Sequence, residues 1–306
     1  MQKVVNKGFL TSYHLKLIAI ICMLIDHIAY VFFSSKLYLR AIGRIAFPLF
    51  AYMIVEGCKY THKREKYLFR LGSFALISEI FFDMAFHQRY IDNQLFLNIN
   101  FFQATNVFYT LFLAASSIHL FEKFKYAKNN VASFYGLATI LIMIVSLYLS
   151  SNFLIRQEYI ALVLIIIFVL DLFLFNKIEV SEKINHNPFN LMPFLFATYI
   201  AEFVSSDYGA KGILFILLIY LANNKGMKLI NMSIGCFILY GVDIFSGYYN
   251  GHLLFINYSI MFFIFALISV VLIYFYNGQK GKDIKYFAYS FYPLHLFILA
   301  ILKYFI

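Results

Sequence analysis

The 306-residue sequence predicts an all-α fold, a polytopic transmembrane helix bundle of about ten or eleven spans in a single domain, residues 1–306. Apolar residues make up 62% of the chain and charged residues 13%, with a mean hydropathy of +0.77. A water-soluble domain carries roughly 45–50% apolar and about 25% charged residues, so the surplus has no soluble core to enter and lipid is its natural solvent. Apolar runs near the length needed to cross the hydrocarbon layer, about 20 residues, follow one another along the whole chain. The basic residues alternate in density between successive connections, which is the signature of a multi-pass protein.

The spans are placed at 15–33, 41–57, 67–86, 106–122, 131–149, 159–175, 189–204, 210–222, 228–245, 255–276 and 286–304. The first run continues past Asp26-His27 to Phe33 with no small-residue cleavage site, so it is kept as a membrane helix rather than a signal peptide. The seventh is interrupted near Pro193 and the eighth is short. His87–Thr105 is too long for a tight turn and too apolar for a free linker, and is expected to form an interfacial or re-entrant element. With eleven spans, only Lys36, Arg40, Arg44, Arg89, Arg156, Lys211 and Lys303 of the 25 basic residues fall on one side. The side with the remainder, which includes Lys3, Lys7 and Lys16, is therefore the cytoplasm, and the expected location is a bacterial-type cell membrane with the N-terminus inside. The net charge of +10 has this explanation and calls for no nucleic acid. Cys22, Cys58 and Cys236 have no paired spacing and suggest neither a disulfide framework nor a metal site.

A charge at the bilayer centre costs about 2.5–3.5 kcal/mol on insertion scales, so ionisable residues inside spans mark a partner or a wet cavity. Asp26-His27 is the sharpest such feature, with Leu17–Ile25 before it and Ile28–Phe33 after it. A neutral imidazole there has the chemistry of a general base; a structural histidine bonded to another helix is the alternative. Neighbours on a helix point about 100° apart, so Asp26 is not placed to orient the adjacent ring. Lys16 precedes His27 by eleven residues, about three turns and about 16 Å along one face. It is placed at the mouth of a groove whose deeper wall holds His27, where a cation suits a phosphate-bearing donor; an ordinary snorkelling lysine is the alternative.

In the second span Arg44 and Glu56 lie near opposite ends, with Pro48 expected to break the ladder between them. A kink there makes room for a cavity; the alternative is that Arg44 snorkels outward and Glu56 is neutralised by the basic loop that follows. That loop, Lys59–Arg70, carries Lys59, Lys63, Arg64 and Arg70 and is either a topogenic anchor on anionic lipid or a landing surface for an anionic nucleotide. Glu79 and Asp83 share one face of the third span and are candidates to complement Arg44 or His27. Asn106, Asp171, Glu202, Asp207, Asp243 and His295 are further polar positions, His295 being expected to be structural.

The run LKLIAIICMLIDHIAYVFF, followed by LRAIGRIAFPLFAYMIVEG and KYTHKREKYLFRLGSFALISEIFFDMAF, resembles the TraX family, membrane proteins named for acetylation of conjugative pilin. NVFYTLFL (Asn106–Leu113), SDYGAKGILFILLIYL (Ser206–Leu221) and FYPLHLFIL (Phe291–Leu299) resemble it too, so the likeness covers both ends and much of the middle. Lys16 and His27 also match the Lys/Arg-x10-His pattern of the wider transmembrane acyltransferase group. The resemblance implies an acyltransferase that takes acyl groups from cytoplasmic acyl-coenzyme A, acetyl-coenzyme A above all, with no metal. It implies His27 as the base and Lys16 as the basic position at the donor. In a mechanism built on that, Arg44 activates the thioester carbonyl, Asp26 or Glu56 stabilises the imidazolium, and Lys59, Lys63, Arg64, Arg70 and Asn106 join Lys16 as candidate donor-binding residues. The acceptor stays open among a glycan, a peptide amine and a lipid-linked substrate. A proton-coupled transporter or flippase is the alternative function, though no internal repeat supports it, and a non-catalytic assembly factor is a third.

Overall fold

The computed structural model describes residues 8–87, 89–91, 94–96, 104–151, 156–175, 184 and 186–305. Its helices are α1 (Ser12–Phe32), α2 (Leu37–Gly43), α3 (Ala46–Tyr60), α4 (Arg64–Phe86), α5 (Val107–Phe124), α6 (Asn129–Ser151), α7 (Gln157–Leu174), α8 (Met192–Phe203), α9 (Gly209–Leu221), α10 (Lys225–Cys236), α11 (Val242–Tyr249), α12 (Leu253–Tyr274) and α13 (Lys285–Phe305). A two-stranded antiparallel hairpin, β1 (Arg89–Ile91) with β2 (Gln94–Phe96), follows α4. The fold is all-α apart from this hairpin, and each of the eleven expected spans has a helical counterpart. Seven helical stretches among the described residues are long and apolar enough to cross a membrane: α1, α2–α3, α6, α7, α10–α11, α12 and α13. The protein is a multi-pass membrane protein. Of the stretch expected to be interfacial or re-entrant, only the hairpin and the residues flanking it are described, and 97–103 lie outside the described residues.

The outward faces explain why lipid is the solvent. Phe134, Leu137, Leu141 and Ile144 on α6, Val163, Leu170 and Phe173 on α7, and Leu253, Leu254 and Val271 on α12 are large, apolar and exposed. A water-soluble monomer does not carry such continuous apolar faces.

The chain forms two compact units. The first gathers residues up to Gly57, Ile77–Ile99 and Leu218 onward. Its core uses small residues, Ala19, Ala29, Ala41, Ala51 and Ala266 being fully enclosed, which lets helix backbones approach closely where apolar burial alone gives no driving force. Gly43 is the extreme case. A Cβ there would lie 2.3 Å from Cβ and Cγ of Asp26, so only glycine lets α2 lie against α1. The second span is two helices rather than one kinked helix. The break falls at Arg44-Ile45, and Pro48 sits in the first turn of α3, where its missing N–H costs nothing. At the far end of this unit, the N-terminus of α1 is satisfied by the loop before α13: the amides of Ser12 and Tyr13 donate to the carbonyls of Gln279 and Lys280 at 2.8 and 3.1 Å.

The second unit comprises Cys58–Leu76 and Asn100–Leu217. Phe124, Phe168, Phe194, Phe196 and Phe215 fill its centre. α5 begins at the Asn106 cap, whose Oδ1 accepts from the amide of Phe108 while its side-chain amide donates to the carbonyl of Ala75. α8 begins just before Pro193, after a short 3-10 turn over Pro188–Leu191, so the interruption expected at Pro193 is the start of the helix itself.

Candidate functional site

Within the first unit α1 and α13 run side by side in the same direction. Lys16 lies in the field of Asp283, Lys280 and Lys285 at one end, and His27 meets His295 further along. The two steps, eleven and ten residues, climb about 16 and about 15 Å. The second half of α4 follows the same direction: the rings of Phe81 and Phe297 are 5.5 Å apart, and Lys303 donates to the carbonyl of Ala85.

At the meeting point Nδ1 of His27 is 2.7 Å from Nε2 of His295. Nδ1 of His295 is 2.8 Å from the carbonyl oxygen of Phe291, one turn earlier on α13. A carbonyl only accepts, so the proton of neutral His295 resides on Nδ1 and its Nε2 presents a lone pair. His27 must then donate from Nδ1, which leaves Nε2 of His27 as the bare, basic nitrogen. Among the described residues nothing hydrogen-bonds to that nitrogen. Edge contacts from Phe86 and Tyr292, with ring centroids 5.2 and 6.0 Å from His27, and the stacked ring of His295 fix the plane of the imidazole. The structure thus joins the candidate base to a residue expected to be structural. The signal in the sequence was a second mid-span histidine beside Pro293, whose own position in the ladder lacks an N–H.

Asp26 turns away from its neighbour. Its carboxylate accepts from Nη2 of Arg44 at 3.0 Å to each oxygen and pairs with Nε of Arg40 at 3.2 Å. Arg44 further donates from Nε to the carbonyl of Arg40 and lies over the rings of Phe262 and Tyr240. Asp26, Arg40 and Arg44 therefore lock α2 to α1. Glu56 pairs not with the basic loop but with Lys228 of α10, 2.5 Å away, and Lys228 also lies over the ring of Tyr52; both partners are largely enclosed, so the attraction is little screened by solvent. Asp83 pairs with His87 one turn on, at 2.8 Å. Lys16 is half-buried, and among the described residues it takes no hydrogen-bond or ion-pair partner.

The remaining expected binding residues belong to the second unit. Lys63 and Arg64 line a cleft with His62, Glu65, Lys66, His119 and Lys123. Lys59 is exposed at the end of α3, Arg70 lies over the ring of Tyr67, and Asn106 is occupied as the cap of α5. His119 and Lys123, spaced i and i+4 on α5, were not singled out as site residues from the sequence; a histidine one turn from a lysine at the end of an apolar span was the available signal. Among the described residues no group of three or more His, Cys, Asp or Glu side chains is placed to hold a metal ion.

A family profile described as "TraX protein" matches residues 12–254 and 172–303. A probable fimbrial assembly protein FimC, serogroup H1, of Dichelobacter nodosus is 39% identical over 111 residues, 34% of this chain and 43% of that protein. An uncharacterized protein, RP591, of Rickettsia prowazekii (strain Madrid E) is 28% identical over 138 residues, 44% of this chain and 46% of that protein. The chain thus spans less than half the length of either of these curated relatives. No solved structure shows significant similarity to it.

Proposed function

Starting from the premise that the chain belongs to the TraX family, we propose that it is a membrane acyltransferase in which His27 is the general base. The single observation that carries this is the His27–His295 pair, which leaves a lone pair on Nε2 of a histidine in the interior of a membrane helix. A histidine serving only to hold two helices together needs one bonded nitrogen. This one uses Nδ1 for that contact and keeps on Nε2 a lone pair that can take a proton.

The reaction is transfer of an acyl group, acetyl in the simplest case, from acyl-coenzyme A to a hydroxyl or amine. The acceptor's O–H or N–H proton passes to Nε2 of His27 as its heteroatom attacks the thioester carbonyl carbon. The tetrahedral intermediate collapses with cleavage of the C–S bond, and the proton on Nε2 passes to the departing thiolate, which leaves as free thiol. While His27 carries the proton, its Nδ1–H remains donated to Nε2 of His295, so the imidazolium is stabilised without any movement of the pair. Lys16, half-buried and flanked by Asp283, Lys280 and Lys285, attracts the donor's phosphates at the head of α1. The 16 Å or so from there to His27 is spanned by the donor's flexible arm. Asp26 and Arg44 act by holding α2 in place rather than by touching the thioester, and Glu56 does the same for α3 through Lys228.

The positive-inside asymmetry supports a bacterial cell membrane with a cytoplasmic N-terminus, the compartment of acyl-coenzyme A. The acceptor is a glycan, peptide amine or lipid-linked group at the membrane. The fimbrial-assembly name of one relative directs attention to surface-fibre subunits among these. Protein purified in detergent and mixed with acetyl-coenzyme A and a panel of these acceptors is expected to release free thiol with acylation of one of them. A transporter would need sealed vesicles and a gradient, and would release none.

A further inference from the structure

We infer that the cleft at the head of α4 is a binding site for clustered phosphate, separate in its residues from the His27 pair. It has a volume of about 440 Å³ and is lined by His62, Lys63, Arg64, Glu65, Lys66, His119 and Lys123. Ligand sites run from about 300 to 1,000 Å³, so this one is large enough for a phosphorylated sugar or a lipid headgroup. All of its lining belongs to the second unit.

Three features separate it from an ordinary solvated basic face. First, the cations come from two different elements. Lys63, Arg64 and Lys66 stand at the start of α4, while Lys123 projects from the last turn of α5. The fold brings them to one concavity with a single carboxylate, Glu65, among the lining residues. Like charges gathered in a concave wall repel, and an anion between them removes that cost.

Second, the cations at α4 sit at the wrong end of a helix. The N-terminus of a 23-residue helix carries partial positive charge and favours acidic residues. Arg64 and Lys66 flank Glu65 in that first turn, so the side chains there are net basic. Basic side chains lining one concavity favour a phosphate. Lys123, at the C-terminus of α5, is by contrast favourably placed for its own helix, which explains one of the cations but not the others.

Third, His119 lines the cleft and is only 7% exposed. It stands one turn from Lys123 on the same face of α5. A buried imidazole among the lining residues adds a nitrogen donor for a phosphate oxygen.

The ligand is therefore a phosphate-bearing group seated in the cleft, with one site per chain. Two sources present it: a soluble nucleotide bisphosphate, and the headgroup of an anionic lipid. Neither assignment rests on the acyltransferase reading.

The test uses the full chain in nanodiscs of phosphatidylcholine, titrated calorimetrically with adenosine 3′,5′-bisphosphate. In parallel, nanodiscs doped with phosphatidylglycerol are analysed by native mass spectrometry for lipid that stays bound. Two variants are compared with the parent, Lys63→Gln/Lys66→Gln and Lys123→Gln, with melting temperatures recorded for each. Saturable 1:1 binding of the bisphosphate, weakened at least tenfold by both variants at unchanged melting temperature, supports the site and identifies a nucleotide as its occupant. Retention of one phosphatidylglycerol, lost in both variants, with no bisphosphate binding, supports the site with a lipid occupant. If neither probe distinguishes the variants from the parent, the inference is overturned. His27→Gln separates the two claims: it is expected to keep binding at the cleft while losing transfer.

Discussion

His27 and His295 are 268 positions apart in the chain, and their rings share a 2.7 Å hydrogen bond in which the direction of donation is dictated by a third group, the carbonyl of Phe291. Backbone geometry on α13 thus selects the tautomer of a side chain on α1. A carboxylate commonly sets a histidine base; here a second imidazole does so, and it needs no buried negative charge.

The tautomer is directly observable. In protein labelled with ¹⁵N-histidine, the resonances that disappear in His27→Gln should report a protonated Nδ1 and an unprotonated Nε2 at neutral pH. A signal of the opposite tautomer for His27 would mean that the proton between the rings is not donated as described.

His295 acts through His27, so its replacement should be graded. His295→Ala removes the acceptor and is expected to lower turnover about 10–100-fold, less than the roughly 10²–10⁴-fold attributed to general-base catalysis as a whole, with little change in KM. His295→Gln offers a side-chain oxygen to the same Nδ1–H and should recover part of the loss. Equal loss in the two variants would assign His295 a packing role alone.

The lock between α1 and α2 is structural. Asp26→Asn leaves Arg44 and Arg40 without their shared carboxylate, and breaking an enclosed ion pair from one side costs about 3 kcal/mol. Gly43→Ala forces a methyl group into Asp26 and should cost about 1–3 kcal/mol by overpacking. Both should lower the melting temperature in detergent. Asp26→Asn protein that melts like the parent would show that the pair contributes nothing to holding the helices.

Glu56 and Lys228 should be coupled. Either single replacement, Glu56→Gln or Lys228→Met, strands a partner that is largely enclosed, whereas Glu56→Met with Lys228→Met leaves no charge unpaired. The double variant is therefore expected to be more stable than Glu56→Gln. A double-mutant cycle with no coupling energy would contradict the pairing.

The helical fold was legible in the sequence because one property, apolar length, is both what lipid demands and what can be read locally. The same locality explains what was not legible. Pro48 was read as a mid-span break because the chain's pause at Arg44-Ile45, which makes the proline a first-turn residue, depends on the packing of α2 on Asp26. Glu56 was assigned to the nearest basic loop in sequence, but its cation comes from α10. Asp26-His27 stands out because the residues on both sides of the pair are apolar, whereas the value of His295 lies in a partner at the other end of the chain. His119 and Lys123 escaped notice because a cleft is a property of two elements brought together. Spacing within one helix reveals faces; it does not reveal which other helix a face will meet.

The most direct test of the central claim is free-thiol release from acetyl-coenzyme A by purified His27→Gln protein beside the parent, with melting temperatures matched. The account predicts acceptor-dependent thiol release by the parent and a loss of about 10²–10⁴-fold in the variant. Parent-like release by a folded His27→Gln protein would contradict it.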